Sequence, residues 1–377
     1  MSVKTKGALL YQPNTDWRVE EIEIGDPVQG EVLVRLAASG LCHSDEHART
    51  GANVLPMYPF LGGHEGAGVV TKVGPGVIGI EEGDHVVLTF NPACGVCRPC
   101  SMGLQNLCDQ GADLFTGRSI ADGTYRVTAG GKPVLPACLL GAFSPYVCVN
   151  QSSVVKIEKD IDLATAALLG CGVCTGWGSA ASIGGTKAGD VVVVVGIGGV
   201  GINAVQGAAA AGARMIVAID PVAQKRAWAT EFGATHTFAS MAEALEPLRD
   251  LSWGTMANTV VLTVGELHGD MLQPALDLTG KAGQVIVTAI AGANKIDAKV
   301  LLPELVLYQK RIQGALFGGA SPRTQIPKLL HEYRAGRLKL DELTTSTYTL
   351  EEINQGYDDM NAGKNLRGVI HFTEADW

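Results

Sequence analysis

Residues 191–201 read VVVVVGIGGVG, five valines that run directly into a glycine-rich turn. Five consecutive β-branched residues predict a strand that is buried on both faces of a sheet. The small, apolar residues after Gly201 predict a helix. Further helix and strand patterns follow, with strands expected at 215–219, 260–262 and 284–287. This alternation predicts an α/β fold with a doubly wound parallel sheet covered by helices on both faces.

The glycines of the turn have the spacing of a dinucleotide-binding loop. Gly196 allows the tight turn, Gly198 lets the backbone approach a pyrophosphate, and Gly201 lets the helix pack closely on the strand. Together with Gly199 and Val200, these residues offer backbone N–H groups at a helix N-terminus, where an anion can bind. The alternative is a glycine-lined turn that binds no ligand.

The strand that follows this helix ends in an acidic residue. Residues 216–220 read IVAID, which places Asp220 where its carboxylate would accept hydrogen bonds from the hydroxyls of an adenosine ribose. The same negative charge would repel a 2′-phosphate. The pattern therefore predicts NAD, and disfavours NADP, as the cofactor.

The composition excludes several classes of partner. The chain has 377 residues and a net charge of −9, whereas nucleic acids and anionic membranes attract basic surfaces. The N-terminal residues lack a secretory signal pattern. The longest apolar stretch, at 191–202, is interrupted by glycine and is too short to span a membrane. We therefore expect a cytoplasmic protein with no nucleic-acid partner and no membrane partner.

Four of the nine cysteines form one short cluster, Cys94-x2-Cys97-x2-Cys100-x7-Cys108. In a reducing compartment such a cluster favours metal binding over disulfides. Four thiolates suit a closed tetrahedral zinc site, which stabilises a loop and has no vacant position for catalysis. An iron–sulfur cluster is the alternative, although the bacterial ferredoxin run has three residues before its last cysteine where this chain has seven.

Three further candidate ligands are far apart in the sequence. Cys42 follows the strand expected at 31–36, His64 stands in a glycine-rich turn, and Cys171 stands between two glycines just before the dinucleotide unit. Each alone could be an ordinary core residue. Two thiolates and one imidazole leave an open fourth position on zinc, where an alcohol would bind and lose its proton more easily. A nicotinamide beside it would accept hydride from the carbinol carbon.

Taken together and in this order, the glycine loop, the four-cysteine cluster and the three separate candidate ligands resemble those of the zinc-containing medium-chain alcohol dehydrogenases. The resemblance extends over essentially the whole chain. The resemblance is carried by GLCHSD (40–45), GHE (63–65), the four-cysteine loop, GCG (170–172), the glycine loop and NLRG (365–368). It implies a GroES-like, β-rich catalytic domain built from residues 1–172 and 316–377. It also implies a Rossmann NAD-binding domain at 173–315 and a homo-oligomer, either a dimer or a tetramer.

The resemblance also assigns roles to individual residues. The catalytic zinc ligands are matched by Cys42, His64 and Cys171, and the acid behind the zinc is matched by Glu65. Ser44 and His47 match the relay that passes the alcohol proton to solvent through the ribose hydroxyls. The cofactor contacts are matched by Thr175 at the nicotinamide, Asp220 and Lys225 at the adenosine ribose, and His43 and Arg367 at the pyrophosphate.

Two positions depart from the pattern of the family. His43 stands where many members carry an arginine, so its charge there would depend on pH. Cys174 lies three residues after Cys171 and is also a thiol. Only Cys171 has the glycines of the motif on both sides, and Cys174 occupies a position that is small and polar in the family.

Residues 94–111 and 115–123 resemble one branch of the family, the actinobacterial nicotinoprotein alcohol dehydrogenases. These enzymes are assayed with the dye N,N-dimethyl-4-nitrosoaniline, and some are tied to the redox cofactor mycofactocin. The resemblance implies oxidation of an alcohol to an aldehyde or ketone, with NAD permanently bound and reoxidised by a second redox partner. A thiol-dependent formaldehyde dehydrogenase is the nearest alternative. A threonine or polyol dehydrogenase and a non-catalytic quinone-reductase-like protein are the others.

Overall fold

The computed structural model describes residues 2–292 and 295–377, which group into two compact units. The first unit contains residues 2–171, 321–331 and 340–377, and the second contains residues 172–320 and 332–339 apart from the two that are not described. Residues 172, 316–320 and 332–339 thus lie in the second unit, whereas the sequence predicts them to be part of the β-rich domain. The boundaries of the folding domains stay a prediction.

The first 171 residues form mainly short strands. The strands are β1 (Val3–Leu10), β2 (Arg18–Ile24), β3 (Glu31–Gly40), β4 (Phe60–Leu61), β5 (Gly66–Val73), β6 (His85–Leu88), β7 (Val127–Ala129), β8 (Lys132–Pro133), β9 (Leu135–Pro136), β10 (Tyr146–Asn150) and β11 (Val154–Ile157). The helices among them are α1 (His43–Thr50), α2 (Arg98–Ser101) and α3 (Leu163–Ala167). This stretch therefore has the β-rich character that the sequence predicts.

Strands and helices alternate in the second unit. Its helices are α4 (Gly172–Ala181), α5 (Gly201–Ala210), α6 (Ala223–Glu231), α7 (Met241–Leu251), α8 (Leu272–Asp277) and α9 (Leu302–Leu307). Its strands are β12 (Val191–Val195), β13 (Met215–Ile219), β14 (His236–Phe238), β15 (Ala257–Leu262), β16 (Thr279–Val287) and β17 (Arg311–Gly314). The chain ends with α10 (Pro322–Arg334), β18 (Thr344–Tyr348), α11 (Ile353–Asn361) and β19 (Arg367–His371).

The strands of the first unit form two sheets. One sheet has the order β11-β6-β5-β3-β19-β18, and β10 also pairs with β3. The other has the order β8-β7-β2-β1-β4-β9. Strand β3 is the strand expected at 31–36, but it continues to Gly40 and leads directly into Leu41 and Cys42. The antiparallel β3–β5 ladder therefore has a candidate metal ligand just beyond its end.

The sheet of the second unit has the order β14-β13-β12-β15-β16-β17, and every adjacent pair is parallel. The five valines of β12 are at most 6% exposed, because the strand is covered on both faces. The prediction of a doubly wound parallel sheet is confirmed. The glycine loop at 196–200 follows the carboxyl end of β12, where ligands bind in sheets of this type.

Among the helices of the described residues, none alone is long and apolar enough to cross a membrane. One bent pair of consecutive helices, Leu163–Gly170 and Gly172–Ala181, meets that requirement by length and composition only.

Candidate active site

Helix α1 carries several of the candidate site residues. Cys42 is its N-cap residue, and the thiol does not cap the helix, which leaves the sulfur available as a ligand. The Sγ atom of Cys42 lies 3.8 Å from Oγ of Ser44. Ser44 and His47 are three positions apart on the helix, so they lie on the same side of it.

His64 reaches the same place from a glycine turn. Gly63 adopts a φ of +89°, and a Cβ on it would lie 2.5 Å from the backbone nitrogen of Phe143, so only glycine fits there. His64 is 2% exposed, and its Nδ1 atom lies 2.9 Å from Oδ2 of Asp45. The other oxygen of Asp45 accepts the Gly63 N–H at 2.9 Å. Asp45 thus fixes both the turn and the imidazole.

Asp45 is not among the site residues that the sequence predicts. A signal was available, because Asp45 stands three residues after Cys42 in a helix and so lies on the same side as that ligand. A carboxylate behind a ligating histidine sets its tautomer and its orientation. The role of Asp45 is therefore to orient the ring of His64.

Cys171 completes a group of four potential ligands. The ligand atoms of Cys42, His64, Glu65 and Cys171 all lie within 4.8 Å of one another. Residues more than one hundred positions apart in the sequence are thus brought together. Two sulfurs and an imidazole nitrogen are a zinc ligand set with room for a further ligand.

Glu65 has a second partner besides this group. It is fully buried and pairs with Arg367, which is 4% exposed and also donates to the carbonyl oxygen of Leu41 at 3.2 Å. Burial raises the pKa of Glu65 to about 6, although the positive charge of Arg367 opposes this shift. Arg367 is expected at a pyrophosphate, and its guanidinium is engaged here with Glu65. Its cofactor contact stays a prediction.

The charges of the group fit a cation. A hydrogen bond from the Cys171 thiol outweighs burial and holds the pKa of Cys42 well below its usual value. The same hydrogen bond raises the pKa of Cys171. Burial disfavours a charged His64, yet Asp45 and the Cys42 thiolate outweigh it and raise the pKa of His64 well above its usual value. The surrounding negative charge therefore favours a positive charge at this position.

The four remaining cysteines of the predicted metal sites form a separate group. The Sγ atoms of Cys94 and Cys100 are 3.9 Å apart, and those of Cys97 and Cys108 are 3.8 Å apart. Tetrahedral zinc with bonds of ~2.3 Å requires sulfurs about 3.8 Å apart. The backbone N–H of Cys97 donates to the sulfur of Cys94 at 3.3 Å. The spacing of the sulfurs fits a closed zinc site.

The other three cysteines, Cys138, Cys148 and Cys174, belong to neither group of potential ligands. Cys174 is fully buried within α4. Burial raises the pKa of Cys138 to about 11, so that thiol stays protonated near neutral pH. None of the nine cysteines is in a disulfide.

The glycine loop has the geometry that its sequence predicts. Gly196 has a φ of +90°, and a Cβ on it would lie 2.7 Å from the backbone nitrogen of Val264. A Cβ on Gly201 would collide with the carbonyl oxygen of Gly196, whereas a Cβ on Gly198 would meet nothing within 4 Å. The glycines at 196 and 201 thus serve the fold, and the open space at Gly198 suits the approach of a ligand.

Asp220 lies at the end of β13 and is 5% exposed. Its two carboxylate oxygens accept the N–H groups of Ile197, at 2.8 Å, and Val222, at 2.9 Å. The carboxylate is therefore held directly beside the glycine loop, as a ribose-binding acid requires.

The remaining candidate cofactor contacts have different surroundings. Thr175 is buried in α4, and its hydroxyl has no hydrogen-bond partner among the described residues. A bound cofactor would supply that partner. Lys225 is half-buried on α6. The ring of His43 lies edge-on to that of His47, with centroids 6.5 Å apart.

Comparisons with known proteins agree with this geometry. Two family models match the chain, the alcohol dehydrogenase GroES-like domain at residues 28–159 and the zinc-binding dehydrogenase at residues 199–334. The chain belongs to the zinc-binding, medium-chain alcohol dehydrogenase family. The predicted GroES-like and Rossmann architecture is confirmed.

Individual relatives are similar over nearly their full length. The chain is 50% identical over 374 residues to alcohol dehydrogenase B of Mycobacterium tuberculosis, which covers 99% of this chain and 100% of the relative. It is 48% identical over 368 residues to an NDMA-dependent alcohol dehydrogenase of Amycolatopsis methanolica, covering 98% and 99%. A solved alcohol dehydrogenase zinc-binding domain protein from Burkholderia ambifaria has a TM-score of 0.92 at 32% identity, covering 99% and 100%. The chain is accordingly a zinc-dependent alcohol oxidoreductase.

Proposed function

We propose that this enzyme oxidises a small alcohol to an aldehyde or ketone and keeps NAD(H) bound between turnovers. A second redox partner then reoxidises the cofactor in place. The observation that carries the chemistry is the meeting of Cys42, His64 and Cys171 with no more than 4.8 Å between their ligand atoms. Retention of the cofactor is supported by the 48% identity to the NDMA-dependent enzyme.

The proposal includes two zinc ions per subunit. Cys42, His64 and Cys171 would hold the catalytic zinc, and Cys94, Cys97, Cys100 and Cys108 would hold a structural one. When bound, the catalytic zinc supplies a Lewis acid for the alcohol oxygen, and NAD supplies the hydride acceptor. Glu65, neutralised by Arg367, stays behind the ligands and limits the negative charge at the centre.

Ser44 and His47 are the proposed proton carriers. The hydroxyl of Ser44 lies beside the sulfur of Cys42, so it is placed to accept a proton from a bound alcohol. His47 is on the same side of α1, one helical turn later, and is 9% exposed. That position suits the transfer of the proton toward solvent.

The preference for NAD rests on Asp220. Its carboxylate already accepts two backbone N–H groups, which hold it in place beside the loop. A fixed negative charge would repel the 2′-phosphate of NADP. Lys225 would contact the same ribose from α6.

One experiment tests whether the cofactor is retained. The protein is purified without added nucleotide and denatured, and the released nicotinamide nucleotide is counted per subunit. Alcohol oxidation is then assayed with free NAD alone and with N,N-dimethyl-4-nitrosoaniline as the electron acceptor. We expect close to one nucleotide per subunit and turnover that requires the acceptor. Empty protein that turns over steadily on free NAD would contradict retention, and a requirement for a thiol with formaldehyde would favour the formaldehyde dehydrogenase.

We also propose a homo-oligomer formed through the edge of the second unit's sheet. Strand β17 is at that edge with all four residues exposed, and the neighbouring helix α9 exposes Val306 and Leu307 by 74% and 73%. An exposed edge strand has unpaired backbone N–H and C=O groups, and beside an exposed apolar helix it readily pairs with a second copy of itself. Light scattering should give a multiple of the 39.3 kDa chain mass, and V306E/L307E should lower it. A monomeric wild type would contradict this.

A further inference from the structure

Helix α5 contains two buried amides in an otherwise apolar surface. Asn203 is fully buried and Gln206 is 5% exposed. Buried amides are costly unless they are hydrogen-bonded. The Nδ2 group of Asn203 donates to the carbonyl oxygen of Gly199 at 2.8 Å, and Nε2 of Gln206 donates to Oδ1 of Asn203 at 3.0 Å. The two side chains are thus linked to each other and to the glycine loop.

The same link continues to a distant part of the chain within the second unit. Gln206 donates to the carbonyl oxygen of Lys339 at 3.1 Å and accepts the N–H of Lys339 at 2.9 Å. The ammonium group of Lys339 in turn donates to the carbonyl oxygen of Glu231, at the end of α6, at 2.8 Å. Gly199 is therefore tied to residue 339 by a continuous series of short hydrogen bonds, which we call the amide bridge (Asn203, Gln206 and Lys339).

The first hydrogen bond of the amide bridge orients one peptide group of the loop. The Gly199–Val200 peptide is trans, so the carbonyl of Gly199 and the N–H of Val200 point in opposite directions. Asn203 holds that carbonyl toward α5, and the N–H of Val200 must therefore point away from the Asn203 amide. The open space beside Gly198 is in this loop, and a pyrophosphate there would need such N–H groups.

Two other contacts fix the Gly196–Ile197 peptide earlier in the loop. The hydroxyl of Thr263 donates to the carbonyl oxygen of Gly196 at 2.7 Å, and Asp220 holds the N–H of Ile197. The Gly199–Val200 peptide is held by Asn203. A peptide group that cannot rotate keeps its N–H in place, which slows the loss of an anion bound to it.

We propose that Asn203 and Gln206 are positioning residues that lock the Gly199–Val200 peptide and thereby slow the release of NAD(H). This deepens the proposed function and rests on its assignment of the glycine loop to the cofactor pyrophosphate. Neither side chain touches the reacting atoms. Their effect is on the residence time of the nucleotide.

The test measures NADH release in N203A, with N258A as a control for the loss of an asparagine elsewhere in the second unit. The amide oxygen of Asn258 accepts the backbone N–H of Val191 at 2.8 Å, at the end of β12 opposite to the loop. Each protein is loaded with NADH and chased with excess NAD, and the fall of NADH fluorescence gives the dissociation rate. We expect that rate to rise at least about tenfold in N203A and to stay within about twofold of wild type in N258A.

A second variant, Q206M, removes the middle member of the amide bridge. The NADH dissociation rate should rise at least about threefold, since Asn203 keeps its hydrogen bond to Gly199 but loses the one from Gln206. If N203A fails to fold by circular dichroism, Q206M decides the question. A rate within twofold of wild type in the folded variant, or an equal rise in N258A, overturns the proposal. If the wild type itself releases NADH quickly, only the proposal of cofactor retention is contradicted. The role of the amide bridge is still tested, because that test is the difference in NADH dissociation rate between each variant and the wild type.

Discussion

The Nδ1 atom of His64 lies 2.9 Å from the carboxylate of Asp45, and both side chains are almost completely buried. The two residues come from different segments, the glycine turn before β5 and the first turn of α1. A histidine held in this way presents its other nitrogen, Nε2, to a metal as an acceptor. The pair therefore keeps a proton on Nδ1, so that Nε2 is the nitrogen that loses its proton to a metal.

This relationship predicts that D45N weakens zinc binding at the catalytic centre. The amide keeps the shape of the carboxylate but loses its charge, so zinc affinity should fall by ~10–100-fold. Competition with a chromophoric chelator measures the affinity. E46Q is the control, because Glu46 is also buried on α1 but bonds to Arg49. Equal zinc affinity in D45N and wild type would contradict the orienting role.

The choice of Cys171 over Cys174 as a ligand predicts different metal contents for two similar variants. C171S should lose about one zinc per subunit and all turnover, because the sulfur it removes is in the ligand group. C174S should keep both zinc ions, because Cys174 is in neither group of ligands. Elemental analysis of the two purified proteins decides between them. Full zinc in C171S would show that another group holds the metal.

The four-cysteine loop should hold zinc for stability and not for catalysis. C97S should lose about one zinc and expose residues 94–113 to proteolysis, because their backbone N–H groups bond to the sulfurs. The zinc held by Cys42, His64 and Cys171 should stay bound in C97S. Limited proteolysis with mass spectrometry, together with zinc counting, measures both effects. Complete loss of both metals at once would contradict independent sites.

Arg126 should stabilise the fold through the buried Glu31. The Nε atom of Arg126 lies 2.6 Å from Glu31, which is 1% exposed. R126M would leave that carboxylate without its cation, at a cost of about 3–5 kcal/mol in the free energy of unfolding. The exposed partner of the same arginine, Asp122, provides the control, and D122N should cost less than about 1 kcal/mol. Urea denaturation measures both, and equal effects would contradict the importance of burial.

Asp220 should set the cofactor preference. D220S removes the charge beside the glycine loop, so NAD affinity should fall by ~1–3 kcal/mol and NADP should bind relatively better. Protein stripped of nucleotide is titrated with each cofactor by calorimetry. D250S, a change of an exposed aspartate on α7, is the control. Equal affinity of the wild type for NAD and NADP would contradict the assignment.

The local parts of this protein could be predicted from the sequence. The valine strand, the tight turn and the helix of the glycine loop are neighbours along the chain, and each depends on the preferences of its own residues. The four-cysteine group is also local, because its loop is short enough for spacing alone to bring the sulfurs together. Gly201 is also a local requirement, because a Cβ on it would collide with the carbonyl oxygen of Gly196, whereas the crowding at Gly196 comes from the distant residues 263 and 264.

Relationships between distant segments were decided only by the tertiary structure. The sequence determined that Cys42, His64 and Cys171 were candidate ligands by their surroundings and their resemblance to a family, but the packing of β3, α1 and the glycine turn decided that their ligand atoms meet. The same holds for Asp45 behind His64, for Arg367 beside Glu65, and for the amide bridge to residue 339. The physical reason is that a buried polar group needs a hydrogen-bond partner, and that partner can come from any segment packed against it. The local backbone preferences of a residue carry no information about which distant segment that is.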